Sequence, residues 1–373
     1  VKHHFLADYV ERLVFKVASV YRDVVYIDGF SGPWEDQGQS FEDTSFGIAL
    51  EALRKAKAEW KRIKGFDVTM TALLVERNPA AFRRLQEVVD LYPDITVKTF
   101  QGEFVALVGD LIKAIPHRAF TFVLMDPKGW KIAMNAVTPL IRRPNTEVVL
   151  NFMFDFINRF ATMEQPAIQA GLDLLLPGTN WRQRMAELDA DPAERGASPR
   201  KDILVAAISD VIGRLGNYPY VMETPVLYPT KDRTFYSLIY ATRSKIGIEV
   251  FRECQHDALK AQDLVRDQLK SSKRADATMM DDMFAGVPTG NEFATRWMAE
   301  QKAAAVTALL EAVPPSPEFI RYGDVWPAVL ARHGVRRRQL ARMAAEMRKD
   351  RTLKFLDWAP RKQLPDDEYR VQR

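Results

Sequence analysis

YVMETPVLYPTKDRTFYSLIYAT, residues 220–242, separates two otherwise similar fold classes. Its two halves, Tyr220 to Tyr228 and Phe235 to Thr242, are runs of β-branched, aromatic and aliphatic residues that suit strands. Between them stand only Pro229-Thr230-Lys231-Asp232-Arg233. A parallel pair needs a crossover of a dozen or more residues, and this connection is too short to supply one. The two strands are therefore expected to pair antiparallel, as a hairpin.

Upstream, the pattern is different. Val24 to Asp28 (VVYID), Ala72 to Glu76 (ALLVE), Ile95 to Thr99 (ITVKT), Phe120 to Asp126 (FTFVLMD) and Glu147 to Asn151 (EVVLN) are short, nearly continuous apolar runs. Runs of that kind fit strands buried on both faces. Helical stretches lie between them, among them Phe46 to Lys61 and Pro79 to Leu91, the latter opened by Asn78-Pro79 with proline at its first position. Strands alternating with helices imply βαβ units and a parallel sheet. An α/β parallel sheet closed by an antiparallel hairpin is the class I methyltransferase layout, Rossmann-like with seven strands, rather than the simple dinucleotide-binding one. Residues 1–250 are assigned to this domain, with 161–200 as an insertion over the open face.

Beyond it, residues 251–295 read as a helical extension and linker, broken at Ser271-Ser272-Lys273-Arg274 and at Gly286 to Asn291 (GVPTGN). Residues 296–373 read as a basic, winged-helix-like domain. Its helices are expected at Arg296 to Ala312, at Tyr322 to His333 and from Val335 onward, followed by a two-stranded wing from Leu353 to Trp358 and Asp366 to Val371.

The composition agrees with this division. The 373 residues suffice for two or three domains at about 100–200 residues each. Formal charge is only +4, yet residues 301–373 hold 15 Lys and Arg against 9 Asp and Glu, leaving 38 against 40 for the rest. A polyanionic partner is accordingly sought at the C-terminal end. Cys254 is the single cysteine, which excludes an intramolecular disulfide or a multi-cysteine metal site. The five histidines show no metal-ligand spacing, so no metal is expected. No run approaches 18 apolar residues and no signal-peptide pattern stands at the start, from which a soluble, cytoplasmic protein is expected, with no membrane partner.

In open α/β sheets ligands bind beyond the carboxyl ends of the strands, which makes four segments candidates. Asp28-Gly29-Phe30-Ser31-Gly32-Pro33 follows the first strand, its glycines allowing close backbone approach to a ligand or simply making a tight turn. Glu76-Arg77 follows the second, where an acid accepts ribose hydroxyls. Gln101-Gly102-Glu103 follows the third, either contacting an adenine ring or forming a polar turn. Asp126-Pro127-Lys128-Gly129-Trp130 follows the fourth. An acid and a prolyl carbonyl there offer two acceptors for an amino group, with Trp130 to stack on a base, as in the Asp/Asn-Pro-Pro-Tyr/Phe motif of amino methyltransferases. A type I turn with proline at its second position is the alternative. In the last domain, Arg336, Arg337, Arg338, Arg342, Arg348 and Lys349 are the candidate nucleic-acid contacts.

Taken together, several segments resemble the three-Cys-motif partner proteins. They are Lys2-His3, YIDGFSGP (Tyr26 to Pro33), FGIALEAL (Phe46 to Leu53), LLVERNP (Leu73 to Pro79), GEF (Gly102 to Phe104), FVLMDPKGW (Phe122 to Trp130), NFMFDFINRF (Asn151 to Phe160) and FYSLIYATRSKIGIEVFRE (Phe235 to Glu253). The resemblance covers residues 1 to about 255. It implies a class I, S-adenosylmethionine-dependent methyltransferase-like fold and association with a radical-SAM-like protein that carries three cysteines. Two departures stand out. The family pattern reads Asp-Pro-Phe-Gly-Trp where this chain has Lys128, and the longer GxGxG loop is absent because Pro33 follows Gly32. Lys128 can pair with Asp126, bind a phosphate or face solvent.

Two functions follow as expectations. The first is a methyltransferase acting on an amino nitrogen of a nucleic-acid base, DNA or RNA, with S-adenosylmethionine as cofactor. The second is a non-catalytic module of the same fold that binds nucleic acid or assembles with a partner protein. A nuclease is disfavoured, since no carboxylate cluster has a plausible metal spacing.

Overall fold

The structure, a computed structural model, describes residues 2–32, 41, 44–127, 129–161, 163, 165–190, 197–229, 231, 233–278 and 293–373. The chain forms two compact units, Lys2–Arg243 and Ser244–Arg373.

The first unit runs α1 (Lys2–Val17), β1 (Asp23–Asp28), α2 (Ser45–Lys64), β2 (Thr69–Glu76), α3 (Pro79–Gln86), α4 (Val88–Leu91), β3 (Thr96–Gln101), α5 (Val108–Ala114), β4 (Phe120–Met125), α6 (Met134–Ile141), β5 (Thr146–Phe152), α7 (Phe154–Ala161), α8 (Pro166–Leu175), α9 (Trp181–Ala190), α10 (Ala197–Gly216), β6 (Tyr220–Leu227) and β7 (Thr234–Thr242). The strands make one sheet in the order β3-β2-β1-β4-β5-β7-β6. β1 to β5 pair in parallel, while β7 runs antiparallel to both β5 and β6. The short 220–242 connection therefore does what its length dictates: the hairpin inserts β7 beside β5 and leaves β6 at the edge. This is the class I methyltransferase strand order.

The central strands are continuous in burial as well as in sequence, β4 and β5 being buried at every position. Burying a Val, Leu, Ile or Phe side chain contributes about 1.5–3 kcal/mol, which is why these runs occupy the middle of the sheet. At the edge, β3 buries only Val97 and leaves Thr96, Lys98 and Gln101 exposed. Helix starts are set by side-chain caps. The Thr44 hydroxyl accepts from Gly47 N at 3.0 Å for α2, and Asn78 Oδ1 accepts from Ala80 N and Ala81 N for α3. α1 is held to the sheet by Tyr9, whose hydroxyl donates to Glu147 Oε2 at 3.1 Å. Tyr240 and Thr242 also donate to that buried carboxylate, each at 2.7 Å. Residues 161–200 hold α8, α9 and the start of α10, and Leu172, Leu175, Trp181, Met185 and Leu188 join the unit's core.

The second unit runs α11 (Lys245–Thr278), α12 (Phe293–Ala312), β8 (Ile320–Arg321), α13 (Tyr322–Arg332), α14 (Arg337–Lys349), β9 (Lys354–Phe355) and β10 (Arg370–Gln372). Its strands form a small antiparallel sheet, β8-β10-β9. The expected break at Ser271 to Arg274 is absent, because α11 continues through it to Thr278. The expected break at Gly286 to Asn291 lies outside the described residues. α11 also groups with the C-terminal unit instead of standing apart as an extension. It serves the ends of the other helices: Asp263 Oδ2 accepts from Ala294 N at the start of α12, and Arg252 donates to Leu330 O and Ala331 O at the end of α13. Cys254 is buried within it.

Candidate functional site

Strand alternation puts Tyr26 and Asp28 on one face of β1. Asp28 is fully buried, and its carboxylate is committed to its own surroundings. Oδ1 accepts from Phe30 N at 2.9 Å, while Oδ2 accepts from Ser45 Oγ at 2.9 Å and from the Tyr26 hydroxyl at 3.3 Å. Burial pushes this carboxyl up to about 6 against the lowering effect of the Phe30 N–H, and the Asp126 carboxylate pushes it further. Asp28 thus fastens the turn after β1 to the first residue of α2.

Gly29 has a packing reason to be glycine, since a Cβ there would stand 2.9 Å from the Phe104 ring. Phe104 also packs on Phe30, with ring centroids 5.7 Å apart, so it closes over the β1 turn. Gly32 N donates to Phe30 O at 2.9 Å.

Glu76 ends β2 beside Gln101, its register partner at the end of β3. The Glu76 side chain is buried, and Oε1 accepts from Asn78 N. Oε2 has no protein donor among the described residues. Gly102 N donates to Glu76 O at 3.0 Å, and Arg77 pairs with Glu103 across the surface at 3.0 Å. Glu76, Arg77, Gln101, Gly102 and Glu103 therefore share one edge of the sheet. Arg77 and Glu103 answer each other's charge there.

Asp126 follows β4 and is half-buried. Asn151 Nδ2, at the end of the adjacent β5, donates to Asp126 Oδ1 at 2.5 Å. Asn151 is 4% exposed, and its Oδ1 has no hydrogen-bond partner among the described residues. Pro127 is buried, and Lys128 lies outside the described residues. Gly129 has φ +107°, a conformation that favours glycine, with the Phe156 ring 3.3 Å from where a Cβ would sit.

Trp130 departs from expectation. It is 7% exposed and packed into an aromatic cluster, 5.1 Å from Phe156 and 4.8 Å from Phe160 between centroids. Its Nε1 abuts Gly171 of α8. The indole is core material under the β4 turn, where three aromatic rings gain more from each other than from an open face, so it presents no stacking surface for a base.

Asn151, Tyr26, Ser45, Phe104 and Asp155 join the site without having been singled out as candidates by the sequence. Asp155 sits at the start of α7, 4% exposed, and receives the Tyr228 hydroxyl at 2.6 Å and Arg233 at 2.6 Å. It ties the β6–β7 turn to the carboxyl end of β5. The available signals were a polar residue closing an apolar strand (Asn151) and an i−2 tyrosine beside an acid (Tyr26).

In the second unit the six basic candidates divide. Arg336 lies 3.2 Å from Glu253 and 3.4 Å from Asp257, and Arg337 pairs with Glu249 and Asp367 while lying over the Trp326 ring at 4.5 Å. These two hold α14 to its own unit through ion pairs. Arg338, Arg342, Arg348 and Lys349 are exposed and have no ion pair among the described residues.

Among the described residues no group of three or more His, Cys, Asp or Glu could hold a metal ion, and no helix is long and apolar enough to cross a membrane. No family model matches the chain, and no curated protein matches it. Among solved structures, it is similar to a precorrin-6y C5,15-methyltransferase from Geobacter metallireducens GS-15 at 13% identity and a TM-score of 0.28, over 63% of this chain and 87% of that one.

Proposed function

We propose that the chain is an S-adenosylmethionine-dependent methyltransferase acting on an amino nitrogen of a nucleic-acid base. The observation that carries this reading is the placement of Asp28, Glu76 and Asp126 at the carboxyl ends of three adjoining strands in a sheet of the methyltransferase order. Glu76 fits the cofactor best, because its buried carboxylate keeps one oxygen open for ribose hydroxyls. Asp28 acts on the cofactor through the turn it fastens. When bound, the sulfonium cofactor supplies an electrophilic methyl group. Asp126 and the Pro127 carbonyl accept the N–H bonds of the acceptor amine and point its lone pair, and Asp126 takes up the proton that the amine sheds.

The order helix, strand, helix, helix, strand, strand in residues 293–373 supports reading that region as a winged helix. Arg338, Arg342, Arg348 and Lys349 are its phosphate contacts in this proposal. The resemblance to three-Cys-motif partner proteins adds a radical-SAM-like protein as the functional associate.

One observation favours the non-catalytic alternative: Phe104 covers Gly29 and the Asp28 carboxylate already has three protein donors. Calorimetry with S-adenosylmethionine separates the two readings. Binding is expected, with at least tenfold loss in Glu76→Ala. Labelled methyl transfer onto mixed DNA and RNA is then expected to vanish in Asp126→Ala. Absence of binding heat at high ligand concentration overturns the methyltransferase reading.

A further inference from the structure

α14 turns Leu340, Ala344 and Met347 inward and leaves Arg338, Arg342 and Lys349 exposed at helical spacing. The loop that joins β9 to β10 faces this stripe. There, Trp358 Nε1 donates to Lys362 O at 2.9 Å, which fixes the indole, and the Arg348 guanidinium lies over that indole at 4.5 Å. Lys362 pairs with Asp366 at 3.0 Å. Helix and loop together line an open concavity of about 520 Å³ whose walls include Arg338, Arg342, Arg348, Lys349, Lys362 and Trp358. Glu346 contributes the lining's carboxylate.

We infer that this cavity receives a phosphate monoester, the 5′-phosphorylated end of a nucleic-acid strand. The inference rests on the nucleic-acid reading of this unit and makes it specific. Four cations of α14 and, from the facing loop, Lys362, which Asp366 already pairs, line one concavity. A monoester carries close to two negative charges at neutral pH and three acceptor oxygens, whereas each internal phosphodiester carries one charge. Cations gathered around one concavity therefore reward the doubly charged strand end over the strand interior. The volume lies within the range of small-ligand sites, about 300–1,000 Å³, which suits a terminal nucleotide. Arg348 and Arg342 bring planar guanidinium forks that match phosphate oxygens two at a time.

Fluorescence anisotropy with 3′-labelled single-stranded oligonucleotides of one sequence tests this directly. At about 0.15 M salt the 5′-phosphorylated strand is expected to bind at least tenfold more tightly than its 5′-hydroxyl counterpart. The preference should disappear in Arg342→Ala/Lys349→Ala, whose altered side chains are exposed on a helix. If that variant misfolds by circular dichroism, the comparison on the unaltered protein still decides. Equal affinity for the two strands, tight or weak, overturns the inference. Equal but salt-sensitive binding leaves the nucleic-acid reading standing, and no binding of either strand removes both. Displacement by deoxyadenosine 5′-monophosphate as effective as by the phosphorylated strand overturns the strand-end assignment in favour of a free nucleotide.

Discussion

Replacing Asp28 with asparagine should stabilise the first unit at neutral pH, although Asp28 makes three good hydrogen bonds. Burial raises its carboxyl from the ordinary 3.8 to about 6. A carboxyl whose folded value is raised contributes stability that is complete below the unfolded value and is lost as pH rises through the folded one. Each factor of ten in proton affinity is worth 1.36 kcal/mol, so the loss between pH 4 and pH 6 amounts to about 3 kcal/mol. Asparagine has the shape of the protonated acid. Its Oδ1 still accepts from Phe30 N, and its amide can donate to the Ser45 and Tyr26 hydroxyls, both of which can also accept. At pH 4.5 the variant and the natural protein should therefore differ little, whereas at pH 8 the variant should be more stable by up to about 3 kcal/mol. Hydrogen exchange of the β1 and β4 amides in a urea series, at both pH values, isolates residues 2–243 from the second unit. A stability difference independent of pH, or a variant less stable at pH 8, would refute the argument that burial dominates at Asp28.

Three further outcomes can be checked. Tyr240→Phe removes one of three hydroxyl donors from the buried Glu147 carboxylate, whose proton affinity burial already raises, and should cost about 1–3 kcal/mol by urea titration at pH 8, less at pH 4. Gly334→Ala would put a Cβ 1.8 Å from the Trp297 ring and should lower the stability of residues 244–373 by about 1–3 kcal/mol, leaving hydrogen exchange in residues 2–243 unchanged. Arg337→Ala should destabilise that same unit by about 1 kcal/mol without loosening oligonucleotide binding, while Arg342→Ala should weaken binding and reduce its salt dependence with no change in melting temperature.

The strands were legible because burial on both faces writes them as continuous apolar runs, and the hairpin was legible because its connection is too short for any alternative. Boundaries moved by a few residues, as at β2, where Thr69, Met70 and Thr71 extend the expected start at Ala72. Ser271-Ser272 misled for a physical reason: serine costs only about 0.5 kcal/mol per residue in a helix, too little to end a long one. The charge asymmetry was legible in amount but not in use. Extending the window to the structural unit, residues 244–373, gives 23 basic against 19 acidic residues, or +4 instead of the +6 of residues 301–373. The additional acids include Glu249, Glu253 and Asp257 on α11, which take up Arg336 and Arg337 about 80 positions away in sequence.

The same distinction governs the candidate site. Residue type and strand-end position put Asp28, Glu76 and Asp126 at the carboxyl ends of their strands and Trp130 in the turn after β4, yet they do not say whether the fold itself consumes the side chain. Trp130 is consumed by Phe156 and Phe160, and the Asp28 oxygens by Phe30, Ser45 and Tyr26. What remains for a ligand is hydrogen-bonding capacity the protein leaves open. A buried acceptor without a donor costs about 1–3 kcal/mol, so such an atom persists where something else supplies the donor. Asn151 Oδ1, at the carboxyl end of β5, is an atom of that kind on the side chain that holds Asp126, and Glu76 Oε2 at the end of β2 is a further acceptor without a protein donor among the described residues. Under the proposed methyltransferase function, ligand recognition is expected to rest more on Glu76 and on the Asp126–Asn151 pair than on the glycine turn after β1, and a ligand that protects the Asn78 amide but not the Phe30 amide from exchange would bear that ordering out.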